Sequence, residues 1–334
     1  MKDHATQDEI NNVASRLLAV GGVTVDISRG QFKTVIGALG EEDKIRSMPF
    51  EAMAGVERAV LVLKPYHLVA SEGHDGPSVV HIDSVPIGAG YAAVIAGNCA
   101  VETRQRTLET AQFVADAGAQ ILRGEALKPR SSPYSFQGLG EMGLQFMAEA
   151  RELTGLPFVA EVLKEADVTL AGKYADCLRI GSRNMGNFEL LKVVGQQPLP
   201  IILKRGLGST IEEWLLAAEY VASNGNLKVI LCERGIRTFE PATRFTLDLS
   251  AVPILKSLTH LPVIVDPSHG VGKKLAVASM ARAAIAAGAD GVMIDVHPCP
   301  EEALCDGDQA LLPSEFKILM GELRAVAAAV GVNL

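Results

Sequence analysis

Residues 91–124 read YAAVIAGNCAVETRQRTLETAQFVADAGAQILRG. An apolar run at 92–96 meets a glycine turn at Gly97, a helix-period segment follows at 107–117, and a second apolar run closes the unit at 120–123. Aliphatic and β-branched residues bounded by glycine favour a strand, whereas apolar residues recurring every three to four positions favour a helix. The same unit recurs down the chain. Further apolar runs stand at 157–162, 176–181, 200–203, 228–232, 262–265 and 291–296, with helical patterns at 141–154, 211–223, 274–287 and 314–330. Eight such strands, alternating with helices, predict an α/β chain folded as a (β/α)8 TIM barrel over residues 91–334. No GxGxxG follows the first strand, which leaves the rival, an open doubly wound dinucleotide-binding sheet, with little support.

Ahead of the barrel the rhythm changes. A helix at 8–18, strands at 23–27 and 34–38, a mixed segment at 43–54 and a strand at 58–63 give the order of a small ferredoxin-like domain lacking its first strand, over residues 1–65. Residues 66–90 carry Gly73, Gly76, Pro77, Pro86, Gly88 and Gly90 and read as a linker with a hairpin that caps the barrel bottom.

At 334 residues the chain has ample material for a large core, and its 48% hydrophobic and 21% charged composition is that of a globular protein. No apolar run approaches the ~20 residues needed to cross a bilayer, so no membrane association is expected. The polar start at 1–12 lacks the order of a secretory signal, and a cytoplasmic location is expected. A net charge of −8 argues against a nucleic-acid partner. Five cysteines with no CxxC pair point to reduced thiols rather than a disulfide framework.

In a barrel, side chains at the carboxyl ends of the strands meet at one rim whatever their separation in sequence. Cys99 follows the first strand, His269 the seventh, Asp295 closes the eighth, and Asp306 lies in the loop beyond it. Strands seven, eight and one are neighbours in a closed barrel, so these four donors are expected to converge. A thiolate, an imidazole and two carboxylates suit a divalent first-row metal: Mn, Fe, Co or Zn. His297, two residues beyond Asp295 on the same strand face, is a substitute ligand or a supporting group. Cys177 and Cys232 read as small core residues.

Cations also close apolar runs: Arg123, Arg183, Lys204 and Arg234, with Lys128 and Arg130 in a further cationic stretch. A charge at a buried strand tip is costly without an anion, and guanidinium forks match phosphate and carboxylate oxygens. Several together imply a substrate with more than one anionic end. Glu233 and Asp266 are the alternative, internal partners.

At Lys128-Pro129-Arg130-Ser131-Ser132-Pro133-Tyr134-Ser135-Phe136-Gln137-Gly138 the chain closely resembles type I 3-deoxy-D-arabino-heptulosonate 7-phosphate (DAHP) synthases of the β subgroup. The likeness extends to Ile180-Gly181-Ser182-Arg183-Asn184, Leu203-Lys204-Arg205-Gly206, residues 231–240 (LCERGIRTFE), Asp266-Pro267-Ser268-His269 and Val296-His297-Pro298. It implies condensation of phosphoenolpyruvate (PEP) with erythrose 4-phosphate, with release of phosphate, as the first step of the shikimate pathway. It also implies metal binding by Cys99, His269, Asp295 and Asp306, and PEP binding by Arg123, Lys128, Ser182, Arg183, Lys204 and Arg234. Lys128, Pro129, Arg130 and Ser131 would meet the aldose phosphate, and Lys128, Lys204, Arg234 and His269 are the expected catalytic groups. A homo-oligomer, tetramer or dimer, is expected on the same analogy.

Departures cluster at the same place. Asp295 stands where the family has a glutamate, Glu125 where a small residue is usual, and Asn98 where a proline is usual. Two further readings therefore stay open: a divergent homologue acting on a different or modified aldose phosphate, and a catalytically weak barrel acting as a regulatory partner. The reduced first strand also implies weakened inhibition by tyrosine or phenylalanine.

Overall fold

The computed structural model describes residues 1–334 except 3, 30–33, 41–43, 46, 60–64, 73 and 131. The chain forms two compact units, residues 1–63 and 64–334.

The larger unit holds a closed, all-parallel barrel. Its strands are β5 (Ala93–Gly97), β6 (Ile121–Arg123), β7 (Phe158–Val162), β8 (Cys177–Ile180), β9 (Ile201–Lys204), β10 (Val229–Glu233), β11 (Val263–Val265) and β12 (Gly291–Asp295). They pair in sequence order, and β12 closes on β5 with Asp295 opposite Gly97. Every residue of these strands is buried, as expected when helices cover the outer face and side chains fill the interior. Ile95, Ile121, Val159, Ile202, Ile230, Ile264 and Met293 form an interior layer. The antiparallel hairpin of β3 (Val80–Ile82) and β4 (Val85–Ile87) packs Val80, Ile82 and Ile87 into that layer, closing one end.

Helices between the strands start and stop on local signals. The first, Arg104–Ala117, is capped by the Thr103 hydroxyl, which accepts from the Arg106 amide, and ends on left-handed Gly118. It starts earlier than its apolar pattern suggests, because the first turn is polar and the cap, not the core, sets the boundary.

The smaller unit contains the helix Gln7–Leu18, held by a Thr6–Glu9 capping box, and the antiparallel strands β1 (Thr24–Arg29) and β2 (Thr34–Leu39). Val13 and Leu17 pack with Val23, Met53 and Val56. Among the described residues no strand precedes the helix. The strand expected at 58–63 falls largely outside the described residues.

Candidate active site

Gly97 ends β5 with φ 147°, and a Cβ there would lie 2.1 Å from the Arg123 carbonyl oxygen. Only glycine permits that approach, and it turns the chain so that Cys99 faces inward over the carboxyl rim. His269 sits in the short helix Pro267–Val271 just past β11, whose start is capped by Asp266. Asp306 holds a left-handed backbone, φ 55°, ahead of the turn Gly307–Gln309. Strain of this kind collects at functional sites.

Three of the four expected metal ligands come together. The Cys99 Sγ, His269 Nε2 and an Asp306 carboxylate oxygen all lie within 4.8 Å of one another. Cys99 Sγ is 3.5 Å from His269 Nε2 and 3.0 Å from Asp306 Oδ2. On its other edge the imidazole Nδ1 lies 3.0 Å from Asp266 Oδ2. A carboxylate only accepts, so Nδ1 carries the proton and Nε2 presents its lone pair to the thiol side. Burial lowers the pKa of His269, favouring this neutral form. Burial pushes the Asp306 carboxyl up, but the His269 imidazole and the Cys305 and Cys99 thiols hold it well below the usual carboxylate range. An acceptor nitrogen, a carboxylate and a thiol facing one point fit a divalent transition-metal ion.

Asp295 stands apart from the triad, contrary to the expectation of convergence. Its carboxylate pairs with the Arg123 guanidinium and accepts a 2.6 Å hydrogen bond from Gln309 Nε2. Its nearest approach to His269 is 3.5 Å, at Nδ1 rather than Nε2. The shorter side chain meets buried competitors before it reaches the ligand side of the ring. His297 is also elsewhere: its Nε2 lies 3.3 Å from Glu102, and its Nδ1 accepts from the Cys299 amide.

Beside the triad a cleft of about 240 Å³ is lined by seven cations, Lys128, Arg130, Arg179, Arg183, Lys204, Arg234 and Arg244, together with Pro129 and Ser182. Lys128 Nζ is 2.9 Å from the Cys99 carbonyl and 3.2 Å from its sulfur, tying cleft and triad together. Lys204 pairs with Asp266, while Arg205 turns away to Glu233 and Asp248 as a structural contact. Arg234 stacks on Phe245 at 4.3 Å, yet among the described residues its buried Nη1 has no hydrogen-bond partner, and neither has Arg130 Nη1. Burial lowers the pKa of both Lys204 and Arg234. Buried donors without acceptors are expensive, so the lining suits an anionic ligand.

Arg123, expected to bind substrate, lies outside this lining. It is fully buried and held by Asp295 and by Glu125 at 3.3 Å. Glu125 also reaches Arg179 at 2.7 Å, so the glutamate in a small residue's usual place is neutralised between two guanidiniums. Ser131 lies outside the described residues. Sequence reasoning missed Arg179, although a lone arginine inside the run 176–181 is itself a signal of buried pairing; it missed Arg244 and Cys305, which lie in loops with no periodic cue.

A barrel whose carboxyl rim joins a thiol–imidazole–carboxylate cluster to a cationic cleft defines a class of enzyme acting on phosphorylated or carboxylated small molecules at a metal. The chain belongs to the DAHP synthetase I family, which it matches over residues 69–328, and residues 1–64 match the DAHP synthase ferredoxin-like domain. It is 48% identical to the phospho-2-dehydro-3-deoxyheptonate aldolase of Thermotoga maritima over 100% of this chain and 98% of that one. A crystal structure of that Thermotoga DAHP synthase superposes with a TM-score of 0.81, covering 99% of this chain and 97% of that one. A 2-dehydro-3-deoxyphosphooctonate aldolase of Syntrophotalea carbinolica is 29% identical over 77% of this chain and 99% of its own length.

Proposed function

We propose that this chain condenses PEP and water with an aldose phosphate, erythrose 4-phosphate first, to form DAHP and inorganic phosphate. One observation carries the reading: a cleft rich in cations, with unpaired buried donors on Arg234 and Arg130, opens beside a cluster able to hold a divalent ion. PEP carries a carboxylate and a phosphate, which Lys204 and Arg234 would receive, with Ser182 and Arg183 at the edge, while Arg179 stays paired with Glu125 and Glu161. The aldose phosphate falls to the Lys128–Arg130 side. Cys99, His269 and Asp306 would hold the divalent ion, which when bound would supply Lewis-acid chemistry at the aldehyde carbonyl.

The protein's own groups do the rest. Asp266 fixes the His269 tautomer and neutralises Lys204, and Lys204 and Arg234 stabilise negative charge as the carbon–carbon bond forms. Arg123 is buried outside the cleft lining and pairs with Asp295. Incubation of the metal-stripped and metal-loaded chain with PEP and a panel of aldose phosphates, with phosphate release and product mass as readouts, tests this. Product from erythrose 4-phosphate only with metal supports it. Product from another aldose alone moves the chain to the divergent reading, and no phosphate release from any mixture refutes catalysis.

A further inference from the structure

We infer that Cys305, not Asp295, is the fourth protein donor of this metal site, alongside Cys99, His269 and Asp306, which makes it a two-thiolate site suited to a thiophilic ion such as zinc. The inference rests on the metal reading above and deepens it.

Cys305 Sγ is buried, 3.9 Å from Cys99 Sγ and 3.0 Å from Asp306 Oδ2. A tetrahedral zinc bonded to two sulfurs at about 2.3 Å holds them roughly 3.8 Å apart, and its sulfur–nitrogen edge is roughly 3.6 Å. The Cys99–Cys305 distance of 3.9 Å and the Cys99–His269 distance of 3.5 Å already match those edges. Cys305 is not among the donors that all lie within 4.8 Å of one another, so ligation would require its sulfur to come closer to the imidazole. Cys305 and Asp306 are adjacent in one loop, and a single loop adjustment carries both donors.

Asp295 is unsuited to the role. One carboxylate oxygen is taken by Arg123 and the other by Gln309, and its strand position is fixed opposite Gly97. Ligation would strip a fully buried guanidinium of its principal partner and require the carboxylate to reach the opposite edge of the imidazole. The negative charge of two thiolates and a carboxylate is met by Lys128, whose Nζ is 3.2 Å from Cys99 Sγ. Soft thiolates select zinc over magnesium or manganese.

X-ray absorption at the zinc edge tests the ligand set directly. The full-length chain is stripped by a chelator under reductant, given one equivalent of zinc and measured without substrate. Two sulfur scatterers at about 2.3 Å are expected in the natural chain. Cys305→Ser should show one sulfur and bind zinc at least about tenfold more weakly in chelator competition, whereas Asp295→Asn keeps two. A single sulfur in the natural chain, an unchanged sulfur count in Cys305→Ser, or no retained zinc overturns the inference. The natural-chain spectrum decides the matter even if a variant misfolds. Two sulfurs without condensation would sink the catalytic reading alone, and condensation with one sulfur would sink this one alone.

Discussion

Asp266→Asn removes one negative charge from a carboxylate that serves two masters. Asp266 is fully buried, pairs with Lys204 and lies 3.0 Å from His269 Nδ1. Two unit charges about 4 Å apart at an effective dielectric of ~20 attract by about 4 kcal/mol, and removing one member of a buried pair typically costs about 3–5 kcal/mol. The variant should therefore lose about 3–5 kcal/mol in guanidinium denaturation of the metal-free protein. Trp214, the sole tryptophan, reports on the barrel: it is fully buried, and its indole donates to the Leu203 carbonyl at 3.1 Å, next to Lys204. Lys204→Met should cost a similar amount. The double variant should recover much of the loss, with a coupling of about 3 kcal/mol, because no uncompensated charge remains. Zinc affinity of Asp266→Asn should also fall about 10–100-fold as the imidazole loses its orienting acceptor. Stability within about 0.5 kcal/mol of the natural chain, or strictly additive single losses, would refute the electrostatic account.

Other outcomes follow from the same geometry. Arg234→Met removes a buried donor with no partner, so stability should stay within about 1 kcal/mol while the KM for PEP rises about 10–100-fold; a large stability loss with unchanged KM would contradict this. Gly97→Ala places a Cβ 2.1 Å from the Arg123 carbonyl oxygen, and a loss above about 2 kcal/mol together with weaker zinc binding is expected in denaturation and chelator competition. Burial pushes the Glu102 carboxyl up, but hydrogen bonds from His297, the Leu304 amide and Arg106 lower it overall. A depressed carboxylate stabilises the fold above its unfolded pKa of about 4.3 and loses that contribution as pH falls through the folded value. The melting-temperature gap between the natural chain and Glu102→Gln should accordingly be full at pH 7 and shrink as pH drops below about 4; a gap independent of pH would contradict it.

The barrel was legible because its strands are buried on both faces and so appear as unbroken apolar runs such as 92–96 and 228–232. The triad was legible because chemical donors at the ends of neighbouring strands must share a rim. The diversion of Asp295 was not legible. Whether a carboxylate reaches a ligand position depends on what competes for it, and neither Arg123, far back in the chain, nor Gln309 signals that competition by spacing. Arg179, Glu125 and Glu161 form a buried ion-pair network from three separate strand regions, visible as isolated charges in apolar runs but not assignable to partners from sequence. Arg244 reaches Asp306 at 2.8 Å from a polar loop that carries no periodic cue at all.

Anomalous diffraction from crystals soaked with manganese or zinc and PEP tests the central claim most directly. The account predicts an ion about 2.0–2.3 Å from Cys99 Sγ and His269 Nε2, with Asp306 as a further ligand, and PEP oxygens on Arg234 and Lys204 in the adjoining cleft. An empty triad, or PEP lodged away from those two cations, would contradict it.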